Sequence, residues 1–494
     1  MNIVDQVFER APRHAVALIE GEQSLSFAEL EAAVENAIRV LRAAGLPRRE
    51  PARVPRIGLA CPNSSDHVVL ALAVLRAGGC LVPVAGELAS PEREAVLRTV
   101  DVDALILSDR LPWPERASSA NGTGAVRLPG LNATLFPKLT AERRERNGRA
   151  CFGEAELAAV DPAFIRFSSG TTGEAKGVVL SHATLLARIE SASRRLAIGP
   201  EDRIVWILSM AHHFAVSIML YLLKGAATII TASHLAEDVL GDGIRHGGTV
   251  LYGSPFHHAL LAAEPSGRRW PALRLAVSTA APLPPATAEA FHRRFGVPLS
   301  QGLGLIEVGL PFLNTTAPLE KPGSVGRPCG DAEVRILNLD TGLPAGPCET
   351  GELYIRCEGM LDAYLSPWRP REEILAPGGW FRTGDLARFD DSRHLYLMGR
   401  VKTVINVAGM KCFPEEVESV LLGCPGVRAV RVRGREHSRF GSVPIAEIVP
   451  DREAPAVSRL VAACRASLAA YKIPVDFRFV EDLPKTASGK IRRG

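Results

Sequence analysis

The segment 168–177 gathers the densest set of chemically useful groups in the chain. An apolar run, FIRF, leads into Ser168, Ser169, Gly170, Thr171, Thr172, Gly173, Glu174, Ala175, Lys176 and Gly177. Glycines let backbone N–H groups converge on phosphate oxygens, hydroxyls add donors, and Lys176 supplies a compact positive charge. The chemistry this suits is the holding of a polyphosphate. It is not the G-x-x-x-x-G-K-[ST] loop: counted from Gly170, Ala175 fills the glycine slot and Gly177 stands where a Mg²⁺-binding hydroxyl is needed. A plain Ser/Thr/Gly-rich turn is the bland alternative, and the clustering of hydroxyls, glycines and a lysine argues against it.

A second group of candidates is histidine. His212 and His213 open the string AHHFAVSIML, and His257 and His258 form another adjacent pair. A metal site built from these four is disfavoured, because adjacent side chains point in different directions and no Cys or carboxylate spacing supports it.

These residues need a scaffold, and composition bounds it. The chain has 494 residues, 47% apolar, 6% aromatic and 23% charged, which is too long for one hydrophobic core and too apolar for a disordered chain. Nine cysteines occur with no Cys-x-x-Cys pair, which suits free thiols in a reducing compartment rather than a disulfide framework or zinc site. The start, MNIVDQVFERAPRH, has acidic residues where a signal peptide needs an apolar stretch, and the apolar run near 68–87 is interrupted by Arg76, glycines and a proline. A cytoplasmic protein without a membrane span is expected.

The alternation of elements gives the fold class. SFAELEAAVENAIRVLRAAG (26–45) has apolar residues at helical spacing; RIGLACP (56–62) reads as a buried strand; SSDHVVLALAVLRAGG (64–79) reads as a helix. CLVPVAG, DALILSD, IVWILSM (204–210), GAATIITA (225–232) and RLAVSTA (274–280) repeat the strand signal. Strands alternating with helices predict βαβ units and an α/β fold with a largely parallel sheet. The stretch 109–150, rich in Pro, Gly, Ser, Asn and Arg, reads as a long excursion without regular structure. Near 400 the character changes to an α+β module: helix EEVESVLL, strands VRAVRVRG and VPIAEIVP, and helix VSRLVAACRASLAAY. Residues 400–494 carry 17 Lys/Arg against 10 Asp/Glu, whereas the rest carries 41 against 44, so the net +4 conceals a basic terminal quarter. That suits a small domain facing an anionic partner. No base-stacking aromatics interleave these arginines, so nucleic acid is not expected.

SSGTTGEAKG resembles the phosphate-binding loop of the acyl-adenylate-forming superfamily, which includes acyl- and aryl-CoA synthetases, peptide-synthetase adenylation domains and beetle luciferases. Further strings follow in that superfamily's order: STAAPL (278–283), QGLGLIEVG (301–309), KPGSVGRP (321–328) and GELYIRCEGMLDAYL (351–365), then WFRTGDL (380–386), GRVKTVINVAGMKCFPEEVE (399–418) and PKTASGKIRR (484–493). The resemblance implies an α/β N-terminal domain (1–399) with mixed or parallel sheets flanked by helices, binding ATP and a carboxylic acid, and a small mobile α+β lid domain (400–494).

The implied reaction sets a carboxylate against the α-phosphate of ATP, two anions, so catalysis is mainly charge neutralisation and positioning. The resemblance gives the 168–177 loop the β- and γ-phosphates and Glu307 the Mg²⁺. It implies that Ala280, Ala281, Gly302 and Leu303 border adenine. By the same resemblance Asp385 and Arg400 would contact the ribose, Lys490 would stabilise the transition-state phosphate, and Lys402 would sit at the interdomain hinge. His212 falls where the family often has a histidine that gates the acyl pocket, whose lining would be His213, Phe214, Ser217, Val308, Gly309 and Leu310. These small or apolar residues suit an aryl or medium-chain acid, and none awaits a substrate amine.

Two departures stand out. Leu303 replaces the usual aromatic neighbour of adenine, a loss of ~1–2 kcal/mol of stacking-type contact, and Ile306 replaces a hydroxyl donor worth roughly 1 kcal/mol. Ala175 in place of a common proline is milder. The implied activity is an AMP-forming acid–thiol ligase using ATP and Mg²⁺, with CoA preferred as acceptor over phosphopantetheine on a carrier protein. A monomer or homodimer is expected. The alternatives are a stand-alone adenylation enzyme serving a carrier protein, or a catalytically impaired nucleotide- or acyl-binding homologue.

Overall fold

A computed structural model describes residues 2–111, 125–137, 153–167, 177–231 and 233–484. Its contacts group the chain into two compact units. One holds residues 1–168, 175–333 and 356–379; the other holds 169–174, 334–355 and 380–494.

The first unit contains two nine-stranded sheets, each parallel at its centre and antiparallel at its edges. In one sheet the parallel strands run in the order Leu299–Leu305, Leu275–Ser278, Val250–Gly253, Arg203–Trp206, Ala227–Ile230 and Val16–Glu20. Gly309–Leu313 and Arg327–Pro328 extend one edge and Gln23–Ser26 the other, all antiparallel. The second sheet has Pro162–Phe167, Cys80–Pro83, Arg56–Ala60 and Ala104–Ser108 as its parallel centre. Those four runs are almost wholly buried, as expected of strands covered on both faces.

Local sequence explains the helices between them. Phe27–Ala43 begins with a reciprocal capping box, Ser26 with Glu29, worth about 1 kcal/mol. It buries Phe27, Leu30, Val34, Ala37 and Leu41 along one stripe. Ser65–Arg76 is buried nearly all round, because it packs inside the unit. The helices and strands expected at 26–45, 56–62, 64–79, 204–210, 225–232 and 274–280 are all present, each shortened at one end or both.

The region 109–150 differs from its sequence reading. Val126–Leu128 and Ala133–Pro137 form an antiparallel hairpin, and Ala133–Pro137 pairs with Ala104–Ser108 to extend the second sheet. The run Ala-Thr-Leu-Phe-Pro is too short to display a period, and the ladder with Ala104–Ser108 supplies its stability.

The second unit contains a four-stranded sheet, Glu333–Leu337, Gly351–Arg356, Phe381–Phe389 and Leu395–Arg400. A short 3₁₀ turn, Val401–Thr403, separates it from a five-stranded sheet built on the long hairpin Val427–His437 and Gly441–Pro450. The helices Pro414–Leu422 and Val457–Ser467 pack on that sheet through Val417, Leu421, Leu460 and Cys464. No described helix is long and apolar enough to cross a membrane.

Candidate active site

The strands Pro162–Phe167 and Gly177–Ser181 are antiparallel, and Phe167 stands opposite Gly177. The two ends of the phosphate-loop motif are therefore held at one cross-strand pair. Ser168, Ser169, Gly170, Thr171, Thr172, Gly173 and Lys176 lie outside the described residues, as does Lys490.

Glu307 occupies the turn between Leu299–Leu305 and Gly309–Leu313. Its carbonyl accepts the Leu361 N–H at 2.7 Å, and its Oε1 accepts the Tyr364 hydroxyl at 3.2 Å. Burial and the adjacent Glu307 carboxylate push the Tyr364 phenol above its ordinary range, so it remains a donor. Tyr364 stands opposite Val178, and Val178 opposite Arg166, which ties Glu307 to the base of the loop hairpin. Burial lowers Arg166 to about 10 while Glu307 opposes that shift, and its Nε makes no hydrogen bond among the described residues.

Arg188, on the helix His182–Leu196, is 3% exposed. Its guanidinium donates to Gly359 O at 3.0 and 2.6 Å and to Ile306 O at 3.1 Å. Burial lowers it to about 10, which leaves it charged at neutral pH. Gly359, at φ +72°, has no room for a side chain: a Cβ there would lie 2.6 Å from Arg188 N. Arg371 fastens the same segment, donating to Leu361 O at 2.8 Å and Asp362 Oδ1 at 3.1 Å. Two arginines thus lock the backbone on which Glu307 depends.

His212 and His213 end the short helix Met210–His213, and Phe214–Ile218 continues it as a single π turn. Such wide turns shift the register of a helix and often mark functional segments. Phe214 is buried between His67, at a ring distance of 5.7 Å, and Phe164, at 6.0 Å. His213 meets the edge of Trp206 at 5.7 Å, and Ser217 is buried. Val308 and Gly309 are buried, and Leu310 is half-buried. His212 is partly exposed and its Nε2 lies 3.2 Å from Glu87 Oε1. His257 and His258 face other partners: His257 meets Ser254 and His258 the Val277 carbonyl.

The expected adenine border is formed by strand ends in the same unit. Ala280 and Ala281 are exposed just beyond Leu275–Ser278, and Ala280 has φ +72°. Gly302 is buried, and half-buried Leu303 stands opposite Phe312.

In the second unit, Asp385 and Arg400 stand opposite each other on adjacent antiparallel strands. Asp385 is 6% exposed, and its N–H donates to Thr383 Oγ1 at 3.0 Å. Thr383 in turn donates to Leu353 O at 2.8 Å. The register shifts across Thr383–Asp385, with Gly384 at φ +70°, so the segment bulges from its strand. Gly399, at φ +134°, admits no side chain, since a Cβ would lie 2.2 Å from Glu415 Oε2. Lys402 is exposed in the 3₁₀ turn that follows.

Sequence reasoning missed Glu87, Arg188 and Tyr364. Arg188 left a local trace: it sits on the buried stripe Thr184, Leu185, Ile189 and Ala192, where a charge is out of place. Glu87 and Tyr364 left none, because their partners are distant in sequence.

The profile of the AMP-binding enzyme family matches residues 4–365, and that of the AMP-binding enzyme C-terminal domain matches residues 416–490. A sulfoacetate–CoA ligase of Cupriavidus necator is 34% identical over 338 residues, which is 67% of this chain and 66% of that protein. A feruloyl-CoA synthase of an Amycolatopsis species is 30% identical over 495 residues, covering 98% of this chain and 96% of the relative. Among solved structures, an o-succinylbenzoate CoA synthetase from Bacillus subtilis, in complex with its acyl-adenylate intermediate, superposes with a TM-score of 0.81 at 25% identity, over 100% of this chain and 97% of the other.

Proposed function

The chain belongs to the AMP-binding enzyme family, and from that premise we propose how its residues run an AMP-forming carboxylate–CoA ligase reaction. A carboxylic acid attacks the α-phosphorus of ATP, pyrophosphate leaves, and the acyl-adenylate then passes its acyl group to the thiol of CoA. The observation that carries this reading is the link from Glu307 through Tyr364 to Val178 and Arg166. It sets one hard carboxylate at the base of the loop that would hold the polyphosphate.

Glu307 fits a magnesium ion. Its Oε1 is oriented by Tyr364, its Oε2 makes no hydrogen bond among the described residues, and a hard divalent cation prefers carboxylate oxygen. Bound there, the ion would neutralise phosphate charge. Ser168, Ser169, Gly170, Thr171, Thr172, Gly173 and Lys176 would cradle the β- and γ-phosphates, with Ala280, Ala281, Gly302 and Leu303 bordering adenine. Asp385 would accept the ribose hydroxyls with Arg400 steadying it. Lys490 would stabilise the charge that develops on the α-phosphate. His212, His213, Phe214, Ser217, Val308, Gly309 and Leu310 would surround the acid. Residues 1–399 would act as the binding body, and 400–494 would turn about Lys402, where the two sheets of the second unit part.

Exchange of labelled pyrophosphate into ATP, measured across a library of carboxylic acids and followed by addition of CoA, tests the reading. The expected result is acid-dependent exchange and CoA-dependent release of AMP; no exchange with any acid would overturn it. Lys490→Ala should lower exchange ~100-fold or more while thioester formation from supplied acyl-AMP persists. Undiminished exchange would remove Lys490 from its role.

A further inference from the structure

Glu87 follows the strand Cys80–Pro83, and its carboxylate reaches the helix that carries His212. Oε1 lies 3.2 Å from His212 Nε2, and the two side chains are 41% and 31% exposed, so neither is sealed from an incoming molecule. The nearby Ser209 side chain adds to the lowering of the Glu87 carboxyl. Asn63, beyond the neighbouring strand Arg56–Ala60, pins the same turn: its amide donates to Leu208 O at 2.8 Å and its carbonyl accepts the Met210 N–H at 2.8 Å. The backbone before His212 and its ring are thus held separately, from the ends of two adjacent strands.

The pairing assigns which nitrogen of a neutral His212 ring carries the proton. His212, whose Nε2 lies 3.2 Å from Oε1, is the largest influence holding the Glu87 carboxyl below its ordinary value, so Glu87 is ionised at neutral pH. An ionised carboxylate can only accept, so Nε2 must donate. The lone pair of the neutral ring then sits on Nδ1, which makes no hydrogen bond among the described residues.

We propose that Glu87 is a positioning residue for the acyl-transfer half-reaction, fixing His212 with its proton on Nε2 so that Nδ1 takes the proton of the incoming thiol. In that step the S–H bond breaks and its proton passes to Nδ1. The sulfur forms a bond to the acyl carbon, and the bond from that carbon to the AMP oxygen breaks, its electron pair leaving with AMP. His212 becomes an imidazolium beside the Glu87 carboxylate, an arrangement in which a carboxylate both orients the base and stabilises its charged form. The unperturbed values of a thiol and an imidazole, about 8.5 and 6.5, are close enough for such a transfer. The inference rests on the ligase reading above.

The test compares wild type with Glu87→Ala, Glu87→Gln, His212→Ala and the double variant Glu87→Ala/His212→Ala. Single-turnover conversion of purified acyl-AMP to acyl-CoA and pyrophosphate exchange are both measured, on proteins whose melting midpoints match. Thioester formation should fall at least ~10-fold relative to exchange in Glu87→Ala and further in His212→Ala. KM for CoA should stay within about twofold, and the double variant should be no slower than His212→Ala, because residues acting as a unit are not additive. Glu87→Gln, which keeps an acceptor but not the charge, should fall between wild type and Glu87→Ala. Wild-type transfer rates in Glu87→Ala, or additive losses in the double variant, would overturn the assignment alone. A wild-type protein that forms no thioester from acyl-AMP would overturn it together with the ligase reading.

Discussion

Arg400 Nε lies 2.6 Å from Asp385 Oδ1, joining two residues that face each other across adjacent antiparallel strands. The pair sets the rotamer of a carboxylate that is 9% exposed, while its arginine partner is 51% exposed. Asp385→Asn keeps the shape but removes the charge and one acceptor. It should weaken ATP binding by about 1.5–3 kcal/mol, roughly tenfold to a hundredfold. Calorimetric titration with a non-hydrolysable ATP analogue would check this, and unchanged affinity would place the ribose elsewhere. Arg400→Ala should cost about 1 kcal/mol or less in stability, because half of the pair is solvated.

Arg188→Lys should not rescue Arg188. One ammonium cannot serve the carbonyls of Ile306 and Gly359 together as the guanidinium does. About 2 kcal/mol of stability should be lost, and the Mg²⁺ concentration giving half-maximal pyrophosphate exchange should rise, because the backbone of Glu307 loosens. A lysine variant with wild-type stability and Mg²⁺ dependence would contradict the clamp.

Ala280 holds a left-handed conformation, φ +72°, at the expected adenine border. A non-glycine residue there costs about 1–2 kcal/mol, part of which glycine returns through its larger unfolded entropy. Ala280→Gly should therefore stabilise the protein by ~0.5–1 kcal/mol, and Ala280→Val should destabilise it. Urea unfolding followed by tryptophan fluorescence decides the sign.

Asp202 accepts a fork from Arg274, at 2.8 and 2.6 Å, together with the Thr249 hydroxyl at 2.7 Å and the Gly199 N–H at 3.0 Å. Burial alone would raise its carboxyl, but these partners hold it below the ordinary aspartate value. Its contribution to stability is complete above the unfolded value near 3.9 and disappears as pH falls through the lower folded value. Asp202→Asn should cost about 2 kcal/mol at pH 7, and the difference from wild type should shrink below about pH 4. An equal difference at pH 3 and pH 7 would show that the charge contributes nothing.

The parts legible in sequence were those encoded locally. The helix Phe27–Ala43 announces itself through its capping box and apolar stripe, and the strands leading to the loop and to Glu307 are short buried runs of ordinary pattern. The hairpin at Val126–Leu128 and Ala133–Pro137 was not legible, because its stability comes from Ala104–Ser108 rather than from its own residues. Glu87 was invisible for a similar reason: nothing near it signals His212, and only the convergence of strand ends from the two sheets brings them together. Family likeness supplied the roles expected of Glu307 and Asp385, but not the supports beneath them. Those supports, Arg188, Tyr364 and Thr383, act through backbone carbonyls and single hydroxyls, which leave little pattern in a sequence.

The short strand Ala363–Tyr364 pairs with Val178–Val179, and Leu361 and Tyr364 supply the two hydrogen bonds to Glu307 seen among the described residues. Those residues come late, after a stretch that belongs to the other unit. During synthesis on the ribosome, which proceeds from the N-terminus, the second sheet must wait with the edge beside Gly177–Ser181 unpaired until they emerge. A nascent chain stalled just before residue 356 would expose that edge, a template for wrong pairing, and would carry a Glu307 with neither of its anchors.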